Sequence, residues 1–525
     1  VTVQLATFAG APQGVVRAKS QHEIEDTECW TIIDAFLNQD GYITRRAGLA
    51  TSVGSVAAAS SLGIAATVNP AGTWSAALVT KRTSDSFLRI DGFKNTTISE
   101  SIAGAGPTVY FDSKDALGGG CLIGTSDGLG TPQATSQSLV IWRGASLGAP
   151  ANASYALSAN ITLGATTITL TANGAHWVPG HFVFDTSSGD LVGVVKSVSG
   201  NVLTLVAPAI RASTGANTVF GAAWRGLARR VSKGRITAST ASTTVNGGET
   251  RFRANGLATG TWDIFTTEYA YVGTVSAVAS DIQLTLASNA AVALLNADYI
   301  AIKRGQSMSA VNETFGWINA SYAGHQFYAT GNVVTYSDDD HFEAVDLDQD
   351  YLVVSEDNVS ALIPAAQGLV ICTETEAHVL LGAVGTTPDR WRADRIHDDG
   401  CISPMTARLY QGGAIWAGRR GIWYWNGDNP VNLAAALGDA YQRIIEGMGA
   451  GTYLRGAVSH GHYLLSIEST SQTEVRSYDT VNYATGTALS NFTICIKLDD
   501  GAITFLRNVD IRGVAQPPPQ VAGET

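Results

Sequence analysis

The amino-acid sequence predicts an all-β protein. Three observations carry that expectation. Helical periodicity is nearly absent, short apolar runs alternate with Gly, Asn, Asp and Ser turns, and a two-copy repeat fills the middle of the chain. With 525 residues the chain exceeds one compact core, so several domains are expected.

The first element is a hairpin within residues 29–48, CWTIIDAFLNQDGYITRRAG. Two strand-like runs meet at Asn38-Gln39-Asp40-Gly41, where the Asp-Gly step supplies the positive φ of a tight turn. Arg45, Arg46 and Gly48 follow. Regions 52–150 and 310–510 then share strand pairs that close on Asp-Gly or Asn-Gly: LRIDGF (88–93), GTSDGLG (124–130), WYWNGDN (423–429) and KLDDGAITF (497–505). In the clearest unit, 411–428, Ala414-Ile415-Trp416 makes one strand, Gly418-Arg419-Arg420-Gly421 turns, and Ile422-Trp423-Tyr424-Trp425 returns. Related units lie at 366–382 and 459–467. A strand, a turn and a strand ending in aromatic-Asn/Asp-Gly is a blade-like pattern, so these regions predict a propeller-like body of about six or seven blades.

Between them sits the repeat, at 165–206 and 242–287. Each copy runs from a Thr-Thr-rich alternating strand through a Gly turn to an aromatic strand. A Val-Gly-x-Val strand, a Ser/Asp turn and a final x-Leu-Thr-Leu strand complete it. Alternation in Thr167-Ile168-Thr169-Leu170 and Gln283-Leu284-Thr285-Leu286 turns one face inward. Each copy predicts a small β barrel or sandwich of about four or five strands, with Trp177 and Trp262 at matching places in the two cores. A single helix is predicted over 432–448, where Leu433, Leu437, Tyr441, Ile444 and Met448 share a face, with Asn432 as N-cap and Gly449 as stop.

The expected domains are therefore 1–150, the first part of the body; 151–232 and 233–306, two inserted modules; 307–510, the remainder of the body; and 511–525, a Pro-rich tail suited to docking on a neighbour. The opening VTVQLATFAG lacks a basic region and is not expected to act as a secretory signal. No apolar run reaches the length of a membrane helix. Charged residues are only 15%, which suits a surface largely covered by subunit contacts. A net charge of −12 disfavours sequence-reading DNA binding, yet an acidic lumen lets a duplex slide past. Cys29, Cys121, Cys372, Cys401 and Cys495 are dispersed, as buried free thiols would be.

The order of motifs resembles a known group. The Asp-Gly…Arg-Arg-x-Gly hairpin comes first, then Tyr336-Ser337-Asp338, then GLVICTETEAHVLLG, DGCISPMTA (399–407) and GRRGIWYWNGD with its helix. Together they resemble the propeller-type tail nozzle or tail hub proteins of short-tailed bacteriophages and related minor tail proteins, with 151–306 as inserted modules. Ala47 stands where that family's Arg-Pro-Gly ending has proline. The resemblance implies a virion structural protein, assembled in the bacterial cytoplasm, whose copies form a ring, a hexamer, below the head–tail adaptor. It also implies contacts with tail fibres or other tail proteins, and genomic DNA passing through without sequence-specific binding during ejection. Neither enzymatic activity nor a cofactor is expected. The alternative is a peripheral receptor-binding or glycan-active tail protein.

Candidate chemistry is sparse. Asp338-Asp339-Asp340-His341 precedes Asp346, Asp348 and Asp350, an alternation that suits a hard cation; Tyr351 occupies the place where a calcium loop needs Gly, and an acidic solvated loop is the plainer expectation. His397-Asp398-Asp399 before Cys401 invites a nucleophile but is expected to be a polar turn. The run Arg225, Arg229, Arg230, Lys233 and Arg235 has no acidic residue within it and is the candidate for a subunit or phosphate contact, as are Arg45 and Arg46. Trp416, Trp423 and Trp425 are expected to fill a blade core rather than form a sugar platform.

Overall fold

A computed structural model gives the fold. It describes residues 154–303, 318–337 and 350–507, apart from brief stretches within them and 470–490, and nine strands between Ala35 and Trp142 by their backbone. The chain is all-β, and among the described residues Asp439–Glu446 is the one α-helix. It forms two compact units.

The first unit holds the described residues from Ala59 to Val353. Its framework is three four-stranded antiparallel meanders. Ala59–Val68, Trp74–Arg82, Leu88–Gly92 and Glu100–Ile102 pair in order. Thr108–Ser113, Cys121–Ser126 and Gln137–Trp142 start the second meander, and its fourth strand is Trp224–Gly226. Trp142 and Trp224 are register partners, so everything between them leaves and re-enters a single hairpin. Ile318–Tyr322, His325–Thr330, Val333–Tyr336 and Tyr351–Val353 make the third. Thr108–Ser113 has the first strands of both other meanders beside it.

The repeated segments form two rings of strands. In the first module the order is Ser154–Ala156, Thr218–Ala222, Phe182–Asp185, Leu191–Ser199, Val202–Leu205 and Thr167–Thr169, closed by the bridge Leu157↔Leu170. In the second it is Arg230–Val231, Tyr299–Lys303, Trp262–Thr266, Tyr271–Ser280, Gln283–Leu286 and Thr244–Gly248. That ring closes because Arg235–Ala238, continuing the path of Arg230–Val231, pairs with both Thr244–Gly248 and Leu294–Ala297. The first ring thus has six strands and the second eight, more than the repeat alone suggested. The eight fill the same six positions in the same order, because two positions of the second are split into two strands each. The first and last strands lie outside the similar sequence, and ring closure is a long-range pairing.

One contact explains the Val-Gly-x-Val signature. A Cβ on Gly193 would stand 2.9 Å from Cδ1 of Leu205, and one on Gly273 would stand 2.7 Å from Cδ1 of Leu286. In both modules the last leucine of x-Leu-Thr-Leu lies in the space the glycine leaves. Both copies also carry bulges at equivalent points, Val183/Phe184 and Ile264/Phe265. Trp177 and Trp262 are both buried core residues. Their places differ, however: Trp177 follows a 3₁₀ turn, whereas Trp262 is on the strand, where the first module has His181.

The second unit holds the described residues from 354 to 507 and the hairpin Ala35–Leu37/Ile43–Arg45, which runs beside Ile503–Arg507. It contains three more meanders: 359–397, 408–432 and 452–507. Their first strands, Val359–Ala365, Arg408–Tyr410 and Thr452–Ser459, are again neighbours in turn. Gly413–Ala417 and Ile422–Trp425 pair as expected, with Trp416 opposite Trp423 and the turn closed by Gly418 N–H donating to the Gly421 carbonyl at 2.8 Å. Leu437, Tyr441 and Ile444 pack into the core between these sheets.

The helix is shorter than its apolar stripe predicts. Asn432 belongs to the strand Val431–Asn432, and its side chain accepts from Ala434 N–H at 2.9 Å. Ala435–Leu437 is 3₁₀, and Gly438 at φ 53 separates it from the helix. Glycine permits that left-handed step, which lets the helix change direction before Tyr441 reaches the core. Gly449 lies outside the described residues.

Candidate functional site

The basic run and the acidic segment, separate in sequence, meet in the fold. Lys233 Nζ donates to Asp350 Oδ1 at 2.7 Å, with only 2% of the Asp350 side chain exposed. Arg235 Nε donates to Asp298 Oδ1 at 3.0 Å, and that pair is solvent-exposed. The tertiary structure therefore supplies carboxylates that the local sequence lacks. Arg225 lies on Trp224–Gly226 and Arg230 on Arg230–Val231, both described by backbone; Arg229 is outside the described residues. Arg45 ends the hairpin strand Ile43–Arg45, and Arg46 is outside.

Asp338, Asp346 and Asp348 also lie outside the described residues. Asp350 answers a lysine, and among the described residues no group of three His, Cys, Asp or Glu side chains gathers for a metal. A third ion pair ties the modules together: Arg211 of the first reaches Asp263 of the second at 3.3 Å, and Asp263 also accepts from Thr274 Oγ1 at 2.7 Å.

Around Lys233 the second ring is split. Residues 230–231 pair with 301–302 and residues 236–238 with 294–297, so the ladder is interrupted at 232–235 against 298–300. A cleft of about 700 Å³ opens there, lined by Ser232, Lys233, Arg235, Glu249, Asn296 and Asp298, with Thr267 at its wall and the buried Tyr299 at its base. Tyr299 Oη donates to the Lys233 carbonyl at 3.1 Å and pins the split strand. Glu249 and Asn296 are non-glycine residues at φ 59 and φ 46. Neither side chain was singled out by sequence; the Asn246-Gly247-Gly248-Glu249 turn was the available signal.

The polar segment 397–401 is structural. Asp399 is buried and accepts from Arg419 N–H at 3.0 Å, Arg420 N–H at 2.8 Å and Trp423 Nε1 at 2.7 Å. Trp416 Nε1 donates to its carbonyl at 3.2 Å. Asp398 pairs with Arg420 at 2.7 Å, a hydrogen bond that holds its carboxyl below the usual range. The His397 ring packs on Trp423 with centroids 3.9 Å apart. Cys401 is buried, and burial pushes its thiol up to about 11, the opposite of an activated nucleophile. Cys372 and Cys495 are also buried free thiols, and Cys495 is pushed up to about 12. Trp416 and Trp425 are core residues, and Trp423, half-buried, spends its indole N–H on Asp399.

No family model and no curated protein matches the chain. Among solved structures it is similar to a chain of the S. cerevisiae Dbp5 complex with Nup159, Gle1, IP6 and ADP, at 11% identity and TM-score 0.24, over 54% of this chain and 62% of that one. The N-terminal domain of Nup159 is similar at 10% identity and TM-score 0.23, over 54% and 64%. The extracellular domain of the putative hybrid two-component system BT4673 from B. thetaiotaomicron is similar at 9% identity and TM-score 0.25, over 84% and 66%. The chain spans less than two thirds of each of these chains, and likeness at this level carries no argument about function.

Proposed function

We propose that this chain is a structural component of a bacteriophage tail, a nozzle or hub protein with a propeller-like body that forms a ring around the DNA exit channel. The observation that carries the proposal is the series of six four-stranded meanders among the described residues, three in each unit, with their first strands side by side within the unit. That arrangement suits a propeller-like body, and the two modules are added without breaking any meander. Mechanical work of this kind needs rigid sheets and broad side contacts, which a strand-rich chain with 15% charged residues provides. Lys233 and Arg235 are already answered by Asp350 and Asp298, so they offer DNA little grip as it passes. Arg45, Arg46, Arg225, Arg229 and Arg230 are assigned to subunit seams, the head–tail adaptor and other tail proteins to the ends of the ring.

The test is imaging of the virion with this chain labelled. An axial ring at the head–tail junction is the expected result, with six copies per particle. Label on peripheral appendages, or a monomer by light scattering at micromolar concentration even with the adaptor present, would refute it.

A further inference from the structure

We propose that the cleft in the second module binds a neutral polyhydroxyl ligand, a short saccharide. This inference does not depend on ring formation. The cleft lies at the break in the barrel wall, about 700 Å³ in volume. Glu249 at φ 59 and Asn296 at φ 46 face it, two non-glycine residues in a conformation that costs of order 1 kcal/mol or more each. Gly234, at φ 81, completes the rim, and a Cβ there would strike the Gly248 carbonyl oxygen at 2.5 Å.

The charges select the ligand class. Lys233 is answered by Asp350 and Arg235 by Asp298, so Glu249 is the remaining carboxylate of the lining. A phosphate would meet the Glu249 and Asp298 carboxylates, and a divalent cation finds no group of three His, Cys, Asp or Glu side chains among the described residues. Lys233 is bonded to Asp350 and Arg235 to Asp298, so neither cation brings an unbalanced charge to a ligand carboxylate. What remains are closely spaced donors and acceptors: the Arg235–Asp298 pair, the Glu249 carboxylate, the Asn296 amide and the Ser232 and Thr267 hydroxyls. A sugar hydroxyl both donates and accepts, so neighbouring hydroxyls can accept from Arg235 and donate to Asp298 or Glu249 together. Glu249 and Asn296 are the arms that close on the ligand from the two sides of the break.

The test uses the full chain with maltotriose, cellotriose and chitotriose as probes, and inorganic phosphate and calcium as charged controls, read by saturation-transfer NMR and calorimetry. Glu249→Gly and Asn296→Gly remove both arms while easing the left-handed backbone, so the double variant folds at least as well. At least one trisaccharide binding the parent chain, with affinity lowered tenfold or more in the double variant at an unchanged or raised Tm, is the expected result. Three outcomes overturn the proposal: no trisaccharide binding at millimolar concentration, binding undiminished in the double variant, or tighter binding of phosphate or calcium than of any sugar.

Discussion

Asp399 shows how one side chain organises two sheets. It leaves the meander ending at His397, and its carboxylate receives two backbone N–H groups of the 418–421 turn and the Trp423 indole. Hydrogen bonds to a charged acceptor are worth roughly 1.5–3 kcal/mol each, and Asn keeps only one accepting oxygen. Asp399→Asn is therefore expected to cost about 2–4 kcal/mol, read by denaturant unfolding with Trp fluorescence. A cost below about 0.5 kcal/mol would show that the turn holds itself. His181 predicts a pH dependence. Burial lowers it from 6.5 to about 4, and its ring meets Trp177 edge-on at 5.9 Å. On acidification the unfolded chain takes up this proton first, near pH 6.5, and the folded chain only near 4. Its stability contribution is complete above about pH 6.5 and is lost as pH falls to about 4, roughly 3 kcal/mol in all. His181→Leu is expected to flatten that part of the stability curve of the first module.

At the level of the element, the two modules are variations on one ring, and Gly193 and Gly273 are the comparison points. Leu205 and Leu286 are both buried and fill the same space over these glycines. Gly193→Ala and Gly273→Ala are each expected to destabilise by about 1–3 kcal/mol through overpacking, with similar losses in both modules by thermal unfolding. A neutral result at either position would mean that the leucine tip moves aside freely. The repeat made this readable: Val-Gly-x-Val and x-Leu-Thr-Leu stood at matching spacing, and alternation placed the leucines inward. Ring closure was not readable, because Leu157↔Leu170 and the split pairing of 230–238 with 294–303 join distant segments. The helix erred for a local reason, since an apolar stripe cannot register the left-handed step at Gly438.

For the whole molecule, the register of Trp142 with Trp224 makes the first module removable. Replacing 143–223 by a four-residue turn is expected to leave the second meander intact, with a soluble product of unchanged strand signal per residue by circular dichroism. Aggregation of that variant, with the second module unaltered, would show that the first module is required for folding. The sequence by itself determined the all-β class, the repeat and the turn-punctuated strands, because alternation and Gly/Asn/Asp chemistry act between near neighbours. It also set the clusters of charge along the chain, the hairpin arginines, the 225–235 run and the acidic segment that ends at Asp350. Only the tertiary structure decided what those charges do: Lys233 finds Asp350, Arg235 finds Asp298, and a cleft opens where the barrel wall parts between them. The reason is physical. Strand propensity and turns are set over a few residues, whereas an ion pair is set by which distant strands the tertiary fold brings within about 4 Å.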